Sequence, residues 1–444
     1  MIESETLPRI EVLATIAPER LQHLLRRGQS RLRELRAPVN AILEDVRARG
    51  DAAVLEYASR FDTLPARLRV PDDEITIAVE RCASAYPPAL RQAADAIQSF
   101  HEAQKPATGS IETTPGVRVW RVWRPLERIG IYVPGGGALY PSCLLMAAIP
   151  ARIAGCQQIV VCTPPGKDGH VPAPVLAAAA LAGVTEVYAV GGVQAIGALA
   201  YGTETIRQVD KIVGPGNSYV ATAKALVASE VAIDLPAGPS EVLIVADASA
   251  HPAWAAADLL AQAEHGPESA CVLVTDSPEL ADAVQREIAR QIERLPTRQI
   301  IHESLSRNGA ILVARGLDEA LAFANQYAAE HLELMVRDAA TVVERISHAG
   351  SVFLGGWSAV AAGDYATGGN HTLPTAGYAR GFGPLAVETF GRLMQVQQVE
   401  PAGLNAIGDS IQTLANTEGL TGHAASIAIR LVEKRAHDES EGIA

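Results

Sequence analysis

The chain has 444 residues, enough for about three folding units at roughly 150 residues each. Its 48% hydrophobic and 20% charged composition is that of a globular protein with a large core, not of a disordered or fibrous chain. The formal charge is −13, and only five of its 37 basic residues are lysine (Lys105, Lys167, Lys211, Lys224, Lys434), with no basic block to track a phosphate backbone, so nucleic-acid binding is excluded as a leading reading.

The first thirty residues are charged, helical in pattern and too short for a domain, and they lack the basic-then-apolar leader of a signal peptide. From about Val39 to Gln104 the pattern is of helices with polar faces, and Gly50 is placed to end the first of them. From Arg128 short apolar runs (RIGIYV, QQIVVCT, EVYAV, KIVG, VAID) alternate with Ala-rich helical stretches. The runs lack polar alternation, which predicts strands covered on both faces and a parallel sheet. A second βα series begins near Ser240 with EVLIVAD, ACVLVTD, GAILVA, LELMV and SVFLG. Gly355 to Gly383 is glycine-rich and irregular, and a helical tail follows whose last residues (KRAHDESEGIA) are expected to fray. The longest apolar run, Val171 to Val184, carries two prolines and falls short of the roughly 18–20 residues a membrane helix needs. Five cysteines, an odd number without a CxxC, argue against a disulfide framework and a thiolate zinc site and fit a reducing cytoplasm.

The predicted fold class is therefore α/β, with two Rossmann-like, doubly wound parallel sheets. Neither carries a GxGxxG. The closest loops, VPGGG (Val133–Gly137) and GPGN (Gly214–Asn217), are either backbone approaches to a pyrophosphate or plain tight turns.

Four of the eleven histidines stand beside groups that make a site: His265, His331, His371 and His423. Gln262 and His265 share one face of a helix that ends at Gly266–Pro267, so an amide oxygen and an imidazole can reach one cation. The plainer reading of His265 is a helix C-cap. Asp364 lies in the glycine-rich loop seven residues before His371, and is equally a turn aspartate. Glu418 precedes His423 by five, and reads otherwise as first-turn stabilisation of the next helix. Gln262, His265, Asp364 and His423 together form a donor set that zinc accepts. Glu330–His331, where a helix meets a strand, is an acid–base pair or a helix-terminal ion pair.

Ten motifs occur in order between about Ala37 and Leu431: RIGIYVPGG, YPS, LLMAAIPARIAG, VGGVQAIGALAYG, DKIVGPGN, DLPAGPSE, DLLAQAEHGP, AAEHLEL, GDYATGGNHTLPT and EGLTGHA. In these the chain resembles the histidinol dehydrogenases, which oxidise L-histidinol through L-histidinal to L-histidine with two NAD, as the last steps of histidine biosynthesis. The resemblance implies one zinc per subunit on Gln262, His265, Asp364 and His423, and catalysis by Glu330 and His331. It implies NAD contacts at Tyr132, Gln194 and Asn217. Substrate contacts fall on Ser240, Gln262, His265, His331, Asp364, His371, Glu418 and His423. It further implies a homodimer in which Glu418 and His423 complete the partner's site. Residues 1–29 would then be an N-terminal helical segment, and 30–131 with 240–385 the catalytic, zinc-bearing α/β domain. Residues 132–239 would bind the nucleotide, and 386–444 would form a C-terminal helical dimerisation tail. Ala359 stands where the family pattern has proline, Ala147 where it is often polar, and Gly355–Gly356 loosen the approach to Trp357. These departures keep open a relative that oxidises a different polar alcohol, and a nucleotide-binding α/β protein without catalysis is the third reading.

Overall fold

A computed structural model describes residues 7–27, 34–82, 87–135, 139–235 and 238–441. Gly136 and Gly137 of the first glycine loop lie outside the described residues. Fourteen strands are seen in chain order: β1 Ile10–Val12, β2 Ser110–Thr114, β3 Val117–Pro125, β4 Arg128–Tyr132, β5 Gln158–Thr163, β6 Glu186–Ala189, β7 Lys211–Val213, β8 Ala232–Ile233, β9 Glu241–Ala246, β10 Ala270–Thr275, β11 Gly309–Val313, β12 His331–Met335, β13 Ser351–Leu354 and β14 Gly391–Val399. They form a six-stranded sheet (β1-β11-β10-β9-β12-β13), a five-stranded sheet (β6-β5-β4-β7-β8) and a three-stranded sheet (β14-β3-β2). The first two are parallel throughout and the third is antiparallel.

The unbroken apolar runs have the expected cause. In β9, Val242 and Ile244 pack with the helices Pro252–Ala263, Pro278–Ile292 and Arg298–Asn308, while Leu243 and Val245 pack on the other face with Leu24, Leu321 and Tyr327. A strand covered on both sides has no solvent face to make polar. Tyr132, Val160 and Ile212 of the five-stranded sheet are buried with the helices Arg36–Arg49 and Gly192–Tyr201 in the same way. Helix ends follow local chemistry. Gly155 (φ 101°) and Gly183 (φ 79°) take the left-handed cap that ends two of them, and Pro252 opens the helix that carries Gln262.

The chain divides into two compact units. The first, residues 1–104 and 126–390, contains both parallel sheets. The second, residues 105–125 and 391–444, contains the antiparallel sheet and the helices Pro401–Thr417 and Thr421–Glu441. Two local readings are corrected. The N-terminal segment is not helical alone, because β1 adds an edge strand in parallel register to β11. The C-terminal segment is not wholly helical, because β14 pairs with β3 over nine residues. Among the described residues, no helix is long and apolar enough to cross a membrane.

Candidate active site

Within the first unit a cavity of about 440 Å³ opens between the ends of the two parallel sheets. A larger groove, about 680 Å³, runs among Arg67, Glu74 and His170, and it holds none of the expected site residues. Most of the expected site residues gather in the smaller cavity. Tyr132 at the carboxyl end of β4, and Asn217 after β7, form one wall. Ser240, Glu330 and His331, at the amino ends of β9 and β12, form the opposite wall. His265, Asp364 and His371 complete it. One sheet thus presents its carboxyl edge, the usual place for a ligand. The other presents its amino edge, so the rule of carboxyl-end sites describes only half of the cavity.

Glu330 and His331 are both 5% exposed. The Glu330 N–H donates to Glu241 Oε1 at 3.0 Å, and the Glu241 N–H donates to Glu330 Oε2 at 2.7 Å. His331 Nδ1 lies 3.0 Å from the Glu241 carbonyl and 3.5 Å from Glu330 Oε2. A carbonyl only accepts, so Nδ1 carries a proton in either charge state of the ring, and Nε2 is the nitrogen that gains or loses one. Nε2 has no hydrogen-bond partner and lies 3.7 Å from Asp364 Oδ1, too far for a hydrogen bond. Burial pushes the His331 imidazole down, but Glu330 and Asp364 outweigh it and hold it well above its ordinary value. Burial pushes the Glu330 carboxyl up, against the opposing pull of His331. Burial also pushes Asp364 up, yet His331, His371 and His265 together hold it below the usual carboxylate range. His371 is held below its ordinary value by burial; its Nδ1 is 2.9 Å from the Asp364 carbonyl and its Nε2 3.2 Å from Cys143 Sγ.

Gln262 sits in the last turn of its helix, 2% exposed, and both side-chain amide atoms are buried without a partner. An orphaned buried amide costs free energy unless something binds it. His265 lies beyond the helix end with Nδ1 3.2 Å from the Ala261 carbonyl, which leaves Nε2 as its available donor atom to a cation. Gln262, His265 and Asp364 all belong to the first unit. Glu418 and His423 belong to the second, where both are exposed: Glu418 caps the C-terminus of Pro401–Thr417, and His423 is in the first turn of the next helix. Among the described residues, no three His, Cys, Asp or Glu side chains cluster closely enough to hold a metal ion.

The Tyr132 hydroxyl accepts the Gly192 N–H at 3.1 Å, at the start of the helix that carries buried Gln194. Burial keeps that hydroxyl neutral, with its pKa pushed up to about 12. Asn217 Oδ1 accepts from the Tyr219 and Val220 N–H groups and caps its helix. Gly214, at φ 111°, has no room for a Cβ beside the Tyr132 carbonyl. Lys224 Nζ anchors this loop from beneath, donating to the Gly214 carbonyl at 2.7 Å and pairing with Asp234 at 2.5 Å.

Sequence reasoning missed Glu241 and Arg27. The Arg27 guanidinium holds the Glu241 carboxylate through two bonds of 2.5 Å, and Glu241 in turn fixes Glu330 and His331. A charged residue opening an otherwise apolar strand was a visible signal for Glu241; Arg27 carried none.

Residues 25–431 match the family model described as histidinol dehydrogenase. The histidinol dehydrogenase of Methanosarcina mazei is 47% identical over 420 residues, which is 94% of this chain and 96% of that relative. That of Methanothermobacter thermautotrophicus is 48% identical over 413 residues, 93% of this chain and 97% of the relative. The crystal structure of histidinol dehydrogenase from Elizabethkingia anophelis superposes with a TM-score of 0.89 at 39% identity, covering 98% of this chain and all (100%) of that one.

Proposed function

The chain belongs to the histidinol dehydrogenase family, and on that premise we propose a zinc-dependent, four-electron oxidation of L-histidinol to L-histidine with Glu330 and His331 as its acid–base pair. Family membership makes it an NAD-linked oxidoreductase of histidine biosynthesis. The observation that carries the finer reading is the clamped His331 ring, whose Nδ1 is tied to a carbonyl while Nε2 stands free beside Asp364 at the cavity wall.

His331 Nε2 accepts the alcohol proton as the carbinol C–H passes to NAD as hydride, which leaves the aldehyde. Glu330 takes a proton from water as it adds to the aldehyde carbon, and His331 returns its proton to the carbonyl oxygen, which forms the hydrate and leaves the ring neutral again. His331 then accepts the proton of the resulting hydrate as the second hydride leaves. The sum is one alcohol, one water and two NAD+ to one carboxylic acid, two NADH and two protons. A carboxyl raised by burial is a stronger base than a solvated one, which suits Glu330 to water activation. Tyr132, Gln194 and Asn217 would hold NAD, and Ser240, His371 and Glu418 would contact substrate along with the metal set.

Zinc suits the donors present: the orphaned Gln262 amide offers an oxygen, His265 an Nε2, and Asp364 a carboxylate kept ionised. His423 would supply the fourth ligand from a second copy of the chain, with Glu418 beside it, which accounts for a site that one chain's first unit leaves short. When bound, zinc supplies a template that orients the substrate. Five unpaired cysteines agree with the cytoplasm as the place of action. The test is purified protein with L-histidinol and NAD, with and without a chelator. Two NADH per histidinol, lost on chelation and restored by zinc, are expected. One NADH, or indifference to the chelator after complete metal removal, would overturn the reading.

A further inference from the structure

Glu333 lies in the middle of β12, two residues beyond His331 and therefore on the same face of the strand. It is 1% exposed in a strand otherwise apolar after His331. A carboxyl there costs free energy unless its oxygens are engaged. Its Oε1 accepts the Val360 N–H at 3.0 Å. Val360 is the first residue of the helix Val360–Tyr365, which has no side-chain cap of its own at Ala359, and Asp364 stands one turn further on. The Glu333 carboxyl therefore caps, from another element, the helix that carries Asp364. Its other oxygen, Oε2, is buried with no donor to it, and the carboxyl that acts on Glu333 from the adjoining helix is that of Asp258. Asp258 sits on the helix Pro252–Ala263, one turn before Gln262 and on the same face. One buried carboxyl thus touches the helix of Gln262, the strand of His331 and the helix of Asp364.

Two carboxyls can hydrogen-bond only if one keeps a proton, and two buried negative charges in contact repel. Among the described residues, the titratable groups acting on Glu333 are Asp258 from the adjoining helix and His331 on its own strand, and Glu333 is the one acting on Asp258. Burial raises both acids, and their contact lowers Asp258 while it raises Glu333, which places the shared proton on Glu333.

We propose that Asp258 and Glu333, joined by one shared proton, are positioning residues that hold Gln262, His331 and Asp364 in register with one another. The proposal deepens the dehydrogenase reading of the same site and rests on it. Neither residue touches substrate or cofactor in this account; both act through the elements they tie.

The test compares three variants of the full-length, zinc-loaded protein. In E333Q the amide oxygen still accepts from Val360 and the NH2 donates to Asp258, so kcat should stay within about threefold of the parent, in line with a preserved hydrogen bond. E333Q should also lose the alkaline fall in kcat that arises when the parent's pair gives up its last proton. E333L removes the tie and should lower kcat about tenfold or more with KM for NAD unchanged, because small misplacements near reacting groups are costly. Hydrogen exchange of the Val360–Tyr365 amides, read without any turnover, should quicken in E333L and not in E333Q. D258L removes the acceptor for the Glu333 proton, leaves that donor unpaired in a dry site, and should be worse than E333Q. E333L with parental kcat and parental exchange would overturn the proposal, as would E333Q as impaired as E333L. Should E333L fail to fold, E333Q and D258L decide, and a D258L as mild as E333Q overturns it. A parent inert toward histidinol but showing the predicted exchange pattern would fault the functional reading and keep the mechanical tie.

Discussion

Arg27→Met probes how the proposed acid–base couple, Glu330 and His331, is held. In the parent, Arg27 Nε and Nη2 each reach one oxygen of Glu241 at 2.5 Å, Nη2 also reaches the Tyr327 carbonyl at 3.0 Å, and the guanidinium stacks 3.4 Å above the Tyr327 ring centroid. The two side chains are 7% and 1% exposed, so neither charge has water to fall back on. Methionine fills most of the arginine stem's volume and removes the charge. Glu241 is then a buried carboxylate with two backbone donors left, the N–H groups of Glu330 and Ala376. Breaking a buried pair from one side costs about 3–5 kcal/mol. That is a large part of the roughly 5–15 kcal/mol that holds a typical domain together. Urea unfolding followed by tryptophan fluorescence should show a loss of this size. Turnover should fall as well, because the Glu241 carbonyl orients His331 and its carboxylate orients Glu330. The double variant R27M/E241Q should recover more than half of the lost stability, since a neutral amide oxygen still accepts the Glu330 N–H and no lone charge remains. An R27M protein within about 1 kcal/mol of the parent, below the cost of one unpaired buried charge, would refute the reasoning.

His331→Ala should lower kcat by about 10²–10⁴, the usual worth of a general base, with bound zinc unchanged by metal analysis; a parental kcat would remove His331 from the chemistry. Gln262→Leu should cut zinc retention during dialysis against chelator, because the substitution removes the buried amide oxygen that has no protein partner. Gly214→Ala should raise KM for NAD more than it lowers kcat, since φ 111° and the Tyr132 backbone leave no space for a Cβ in the loop that leads to Asn217. Arg128 holds the Glu186 carboxyl down to about 2, so its contribution is present above the unfolded value near 4.5 and fades as pH falls through about 2. The Tm gap between the parent and Glu186→Gln should be flat above pH 5 and close in more acid buffer; a gap that widens there would contradict the assignment.

Both parallel sheets were legible because their strands are sealed on two faces. Runs such as EVLIVA and ACVLVT can be nothing but apolar there, and the periodic helices between them carry one polar side. The antiparallel sheet was not read: VRVWRVWRP carries its arginines every third residue and so lacks the period-two signature of a half-exposed strand, and its one local signal is the Pro115–Gly116 turn before it, with Gly116 at φ 82°. Its partner β14 (GRLMQVQQV) lacks a clean alternation too and pairs across more than 260 residues, which no local window detects. β1 failed for another reason: three residues at a sheet edge draw their conformation from β11, not from their own propensity.

The site divides along the same line. His265, Glu330 and His331 were visible because they stand at helix ends and strand starts, where local pattern changes, and Asp364 and His371 because glycines surround them. What local pattern could not supply is the support. Glu241 and Glu333 are acids inside apolar strands, and an acid in such a run must be engaged by something distant: by Arg27 in one case and by Asp258 with Val360 in the other. The working half of the catalytic sheet is its amino edge, where β9 and β12 begin. There the free N–H groups of Glu241 and Glu330 face the carboxylates of the opposite residues, an exchange of hydrogen bonds between two glutamates that only adjacent parallel strands can make. That exchange ties Glu330, one residue ahead of β12, to the strand start that carries His331. The same backbone register that builds the sheet sets the Glu330 carboxylate and the His331 ring, so their geometry is as rigid as the core beneath them.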